Sequence, residues 1–133
     1  MQTKNLRLPL ERKWFELTKA GIKKEDYREI TPYWCSRLLR YEGYPRTVKW
    51  WADVEKYEGS SFGKAIKANI KNGSIDSKLF HINVMPLGYP KSTDTERITK
   101  LEHKGIEIRT GNPEWGAELN KLYFVIKHGE IIK

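Results

Sequence analysis

Leu10, Trp14 and Leu17 fall at positions i, i+4 and i+7, the spacing that puts three apolar side chains on one face of a helix. Pro9 just ahead suits a helix entry, and Gly21 suits the left-handed residue that ends one. A helix is therefore expected over 10–20, with Ile22 packing back on Leu17 across the cap. Before it, Asn5 to Leu8 reads as a short strand. After the turn, Asp26 to Ile30 reads as extended. Thr31 and Pro32 then have the chemistry of an N-cap and first helical residue. Trp34, Leu38 and Tyr41 make the stripe of this second helix, with Cys35 and Leu39 beside it, and Gly43 and Pro45 end it.

The next stretch keeps the helical period. Trp50, Val54 and Tyr57 repeat it, and so do Phe62, Ile66 and Ile70 after Gly59-Ser60-Ser61. Lys64, Lys67 and Lys71 decorate the other side of that second segment, and Gly73 suits its stop. The pattern predicts two short helices, or one helix and a long loop. From residue 78 the texture changes. KLFHINVM, TERITKLEHKGIEIRT (broken at Lys104-Gly105) and KLYFVIKHGEII are rich in β-branched and aromatic residues, which favour strands. The Gly in the last of these suits a bulge or a hairpin turn. Helices early and strands late predict an α+β domain whose late strands curl into a small barrel with two N-terminal helices at its side.

The chain of 133 residues is one domain's worth and long enough for a core without disulfides. Five Trp, seven Tyr and four Phe argue against disorder, since large aromatic side chains supply much of a small core's buried area. A formal net charge of +8 points to a polyanionic partner, usually nucleic acid, unless it serves solubility alone. The single cysteine, Cys35, excludes an internal disulfide and suggests a reducing compartment. No apolar run suits a signal peptide or a membrane span, so a soluble cytoplasmic protein with no membrane partner is expected.

Candidate chemistry is sparse. His81, His103, His128 and Cys35 lack any ligand-type spacing, so no metal site is expected, and no cofactor motif occurs. Cys35 lies on a core stripe, where a buried inert thiol is the ordinary reading. The stretch GIKKEDYREI is different. Asp26 and Arg28 are two apart, so on an extended segment they share a face with Ile30, while Tyr27 and Glu29 point the other way. Lys23 sits in the turn, free to reach over that face, and Lys24 and Glu25 are expected to be solvated. A carboxylate between two cations holds Arg28 in a fixed rotamer, and such a guanidinium can receive a phosphate or a base edge. The competing reading is a surface ion-pair cluster worth little.

A second candidate is Gly111-Asn112-Pro113-Glu114-Trp115-Gly116, a turn-rich loop between strands. Trp115 there either covers an open barrel end or stacks on an unpaired base. Trp50, Trp51 and the lysines at 64–71 are the third candidate: aromatics interleaved with basic residues fit single-strand nucleic-acid binding, while a packed helix with a solvated basic face already explains the spacing.

The stretch LPLERKWFELTKAGIKKEDYREITPYWCSRL resembles the N-terminal signature of the ASCH domain, a small β-barrel domain similar to the PUA domain. The hallmark G-x-K-x-x-E-x-R stands here as Gly21, Lys23, Asp26 and Arg28, with Asp in the Glu position. The tail KGIEIRTGNPEWGAELNKLYFVIKHGEII resembles the end of compact ASCH proteins often encoded by bacteriophages and prophages. The resemblance covers residues 4–41 and about 80–133, leaving 44–78 as an apparent insertion of helix and loop.

The resemblance implies a partly open PUA-like barrel with a motif-lined cleft binding RNA or nucleotides. Lys23, Asp26, Arg28, Trp115 and Gly116 are then the binding residues. Some members of the family are hydrolases, which implies an alternative with Lys23 and Asp26 as the catalytic pair. One subgroup resembles an amidohydrolase acting on N4-acetylcytidine through a Lys, a Thr and a distant Glu. Lys23 matches its Lys, but Asp26 stands where it has Thr, and carboxylate attack on an acyl carbon would give a mixed anhydride. Another subgroup behaves as ribonucleases, for which a Lys/Asp/Arg cluster offers charge stabilisation and a general base. A further alternative is a phage factor that binds a host protein through 44–78. Oligomeric state is not legible in the sequence.

Overall fold

The structure is a computed structural model that describes residues 4–133. In chain order its elements are β1 (Asn5–Arg7), α1 (Arg12–Lys19), β2 (Glu25–Arg28), α2 (Pro32–Leu38), β3 (Leu39–Tyr41), β4 (Tyr44–Pro45), α3 (Val48–Glu58) and α4 (Phe62–Asn72). These are followed by β5 (Ile75–Ser77), β6 (Ile82–Pro86), β7 (Ile98–Thr110) and β8 (Leu122–Ile131). The α+β expectation holds. Among the described residues, no helix is long and apolar enough to cross a membrane.

The five-stranded sheet has the order β1-β6-β7-β8-β2. β1 runs parallel to β6 and the other pairs are antiparallel. The sheet stays open, because its two edge strands β1 and β2 do not pair with each other. Both edges are short for a reason in the sequence. Pro9 follows β1 and has no N–H to give a ladder, and Thr31-Pro32 turns the chain into α2 soon after β2 ends. β7 runs through Lys104-Gly105 without the expected break, and the ladder with β8 slips there instead, between His103 and Ile106. Gly129 lies inside β8 at a second slip of the ladder, between Leu101 and His103, so of the two expected features the structure has the bulge and not the hairpin.

β8 is buried on both sides, and its alternation sorts the core. Phe124 and Ile126 join the main cluster with Leu6, Leu8, Phe15, Cys35, Leu38 and Met85. Tyr123 and Val125 face the other way, onto Ala117 and Tyr27. Burial pushes the Cys35 thiol far up, as the inert reading of that residue requires.

α2 is shorter than its stripe suggested, because Tyr41 belongs to a strand. Glu42 and Gly43 take positive φ values of 51° and 82°, which makes the tight hairpin between β3 and β4. β3 also pairs with β5, Leu39 opposite Ser77. Two helices do follow over 46–75. Thr47 caps the first by accepting from Trp50 N at 3.0 Å, and Gly73 ends the second with φ 89°. The segment 44–78 is no loose appendage, since Trp51, Phe62, Ile66 and Ile75 lie in the main buried cluster.

Candidate functional site

The site begins where α1 stops. Gly21 adopts φ 77°, its N–H donates to Thr18 O at 3.0 Å, and Ile22 N–H donates to Leu17 O at 3.0 Å. These are the paired bonds of a Schellman cap. Ile22 itself is exposed, so the expected packing on Leu17 is no buried contact. Lys23 N–H adds a further bond to Leu17 O at 3.0 Å, which fixes where its side chain leaves the turn.

β2 then pairs with β8 so that Asp26 lies opposite Ile126 and Arg28 opposite Phe124. Paired residues of antiparallel strands point to one face. Asp26 and Arg28 therefore point toward the main core, and Glu25 and Tyr27 point to the other face. The Asp26 carboxylate is gripped from both sides, as expected from the sequence. Arg28 Nε donates to Oδ2 at 2.6 Å and Lys23 Nζ to Oδ1 at 3.4 Å. Lys23 Nζ also donates to Glu25 O at 2.7 Å.

This is no surface ion-pair cluster. Lys23 is 2% exposed and Asp26 3%, while the Arg28 side chain is 17% exposed. Burial lowers the Lys23 pKa, with Asp26 beside it offsetting only part of that effect. Lys23 is thus not free to reach over the face as the sequence suggested: its amine is locked beneath the cleft. Arg28 Nη2 donates to Pro9 O at 2.8 Å, so this side chain bridges the open seam between the β2 and β1 edges. Its guanidinium also lies 5.0 Å from the centre of the Trp34 ring, a cation–π distance.

Glu25 departs from expectation as well. Its carboxylate forms a fork with Arg109, whose Nη1 donates at 3.1 Å and whose Nη2 completes the pair, and it accepts from Tyr27 OH at 2.6 Å. Burial alone would raise its pKa, but the bonds from Arg109 and Tyr27 outweigh that and hold it below the usual carboxylate range. This network ties β2 to β7 across the outer face of β8. Lys24 is exposed. Glu29 does point outward, where it meets Lys121.

A cleft of about 220 Å³ opens over Lys23, Asp26 and Arg28. Pro9, Leu10, Glu11, Trp14, Trp115 and Gly116 also line it. The two segments singled out in the sequence are therefore neighbours in space. Tyr27 OH accepts from Asn112 N at 2.8 Å, and the Asn112 side chain accepts from Glu114 N at 3.0 Å. These bonds hold the 111–116 loop against β2. Gly116 has φ 100°, and a Cβ there would lie 2.9 Å from the Trp14 ring, so the close approach of the loop backbone to Trp14 needs glycine. Trp115 is half-buried. Trp14 was hidden in the sequence because its helical spacing reads as ordinary core.

Trp50 and Trp51 are not part of this site. Trp51 is buried in the core and Trp50 packs against Tyr41 and Trp51. Lys64, Lys67 and Lys71 are exposed on α4, in line with the packed-helix reading.

The histidines bring a feature no spacing announced. Asn83 Nδ2 donates to Lys127 O at 3.3 Å and sits 2.7 Å from His128 Nδ1, while Asn83 Oδ1 is 2.7 Å from His103 Nδ1. The Lys127 carbonyl accepts only, so the amide nitrogen must face it, and His128 Nδ1 must then accept. His128 therefore carries its proton on Nε2, which is buried with no partner among the described residues. Alternation along β8 puts His128 on the side of Asp26 and Lys23. Burial pushes its pKa down to about 4, despite the opposing pull of Asp26. Among the described residues, no three His, Cys, Asp or Glu gather as a metal ion would need.

No protein-family model, curated protein or solved structure matches this chain. The chemistry of the cleft must therefore be argued from its own residues. An interior charge cluster fixes one guanidinium at a solvent-reached seam. Aromatic rings stand beside it. That combination suits an anionic ligand with a flat ring.

Proposed function

We propose that the chain is an RNA- or nucleotide-binding domain of the ASCH kind, with its open sheet as a partly open PUA-like barrel and the Lys23–Asp26–Arg28 cleft as its binding site. One observation carries this reading: the buried Asp26, braced by Lys23, holds Arg28 in a fixed pose in a cleft that Trp14 and Trp115 also line. Nε and Nη2 of Arg28 are committed to Asp26 and Pro9. Among the described residues Nη1 has no hydrogen-bond partner, so the group keeps donor capacity for a phosphate or a base edge. The net charge of +8 adds long-range attraction for a polyanion. Lys23 serves as a brace here, since its amine is buried and already donates twice.

Fluorescence anisotropy with short single-stranded RNAs tests this at two salt concentrations. Binding should weaken with salt by about 0.7 in log K per log unit of salt for each phosphate engaged. Trp115→Ala and Arg28→Lys should each reduce affinity about tenfold or more, with circular dichroism unchanged. Affinity that ignores salt, or that survives both substitutions, rejects the reading.

A further inference from the structure

The cleft does not end at Arg28. That residue and Pro9 also line a second depression of about 450 Å³, completed by Arg7, Tyr33, Trp34, Arg37 and Tyr89. We propose that this depression is a second subsite, and that the two together take a single-stranded nucleic acid of at least two nucleotides rather than a lone nucleoside or nucleotide. The inference rests on the nucleic-acid reading of the cleft and names the form of its ligand.

Charge is the first support. Arg7, Arg28 and Arg37 line the depression and no carboxylate does. Arg7 and Arg37 take part in no salt bridge among the described residues, so their charge is not already neutralised. Arg28 stands where the two depressions meet, the place a phosphate linking two nucleosides would occupy. Each such contact releases counterions from the strand.

The rings are the second support. Tyr33 is 52% exposed and Tyr89 87%, and both line the same depression as the arginines. The Arg37 guanidinium lies 5.7 Å from the centres of both the Tyr33 and Trp34 rings. A cation stacked on an aromatic face and aromatic faces open to solvent form the platform on which a second base stacks. A mononucleotide seated in the first cleft leaves that platform empty. An acidic peptide would use the arginines but not the ring faces.

The residues of this subsite come from β1, β2, α2 and the loop before β7, and Tyr33 and Tyr89 look like scattered surface tyrosines in the linear chain.

The test compares a labelled single-stranded hexaribonucleotide with a 5′-nucleoside monophosphate on the full chain, using the exposed-residue variants Arg7→Gln/Arg37→Gln and Tyr89→Ser. The hexamer should bind the wild-type protein at least tenfold more tightly than the monophosphate. The double variant should lower hexamer affinity tenfold or more at 0.1 M salt and reduce its salt slope by about one, leaving monophosphate affinity unchanged. Tyr89→Ser should weaken the hexamer several-fold. A deoxyribose hexamer offers the same phosphates and ring faces and should respond to the same substitutions. Equal affinity for hexamer and monophosphate, with both variants silent, overturns the second subsite and leaves the cleft reading standing. Hexamer binding lost in the double variant but indifferent to Trp115→Ala and Arg28→Lys overturns the joined two-subsite site, and with it the cleft reading. Equal displacement of the hexamer by polyglutamate overturns the nucleic-acid assignment of the groove.

Discussion

Asp26→Asn removes the one negative charge that compensates a buried cation, Lys23, and a partly exposed one, Arg28. Lys23 is 2% exposed, and it and Arg28 reach Asp26 at 3.4 Å and 2.6 Å. Asparagine keeps the size and one acceptor oxygen but leaves both cations uncompensated. Breaking a buried pair on one side costs about 3–5 kcal/mol. The lower figure applies here, since burial already lowers the Lys23 pKa and its amine can shed its proton. The expected loss is thus about 3 kcal/mol at neutral pH, or roughly 12 °C in Tm for a chain of this size. Urea denaturation followed by circular dichroism measures it. Lys23→Met in the Asp26→Asn background should recover part of the loss, with a coupling of at least about 1 kcal/mol. A cost below about 1 kcal/mol, the range of exposed pairs, with no coupling to Lys23 would refute the buried clamp.

Gly116→Ala should cost about 2 kcal/mol, because its backbone is at φ 100° and the new methyl meets Trp14 at 2.9 Å; thermal unfolding and tryptophan fluorescence check it. Acid should weaken the fold before the carboxylates titrate. His128 takes its proton at about pH 4 in the native state instead of 6.5, so the unfolded chain binds the extra proton between those values. Stability should then fall by about 3 kcal/mol as pH drops through that window, His103 adding in the same direction. In His128→Gln, urea titrations across that range should show a flatter slope. Trp51→Ala should cost about 4 kcal/mol in the same assay. Trp51→Phe should cost much less, because it removes an indole N–H that is buried without an acceptor among the described residues.

Local signals in the chain reached the structure largely intact. Gly21, Gly73 and the Thr31-Pro32 pair mark their helix ends because a positive φ or a capping hydroxyl is a property of one or two residues. Tyr41 misled because an apolar residue one turn past Leu38 fits a helix or the start of a strand. Pairing with residues 75–77 decided it, and that lies outside any local window. The face shared by Asp26 and Arg28 was legible from the two-residue period. The burial of Lys23 and the Glu25–Arg109 fork were not, since the latter joins residues 84 apart. The His103–Asn83–His128 chain draws on three strands, and no spacing in the sequence links them.

The central claim is that ligand enters the cleft over Lys23, Asp26 and Arg28. The indole N–H signals of the five tryptophans, followed by NMR during titration with a short single-stranded RNA, test it most directly. Trp14 and Trp115 should shift in a saturable way together with the Arg28 Nε–H signal, while buried Trp51 should not move. Shifts confined to Trp50 and Trp51, with Trp14 and Trp115 unmoved at saturating RNA, would contradict it.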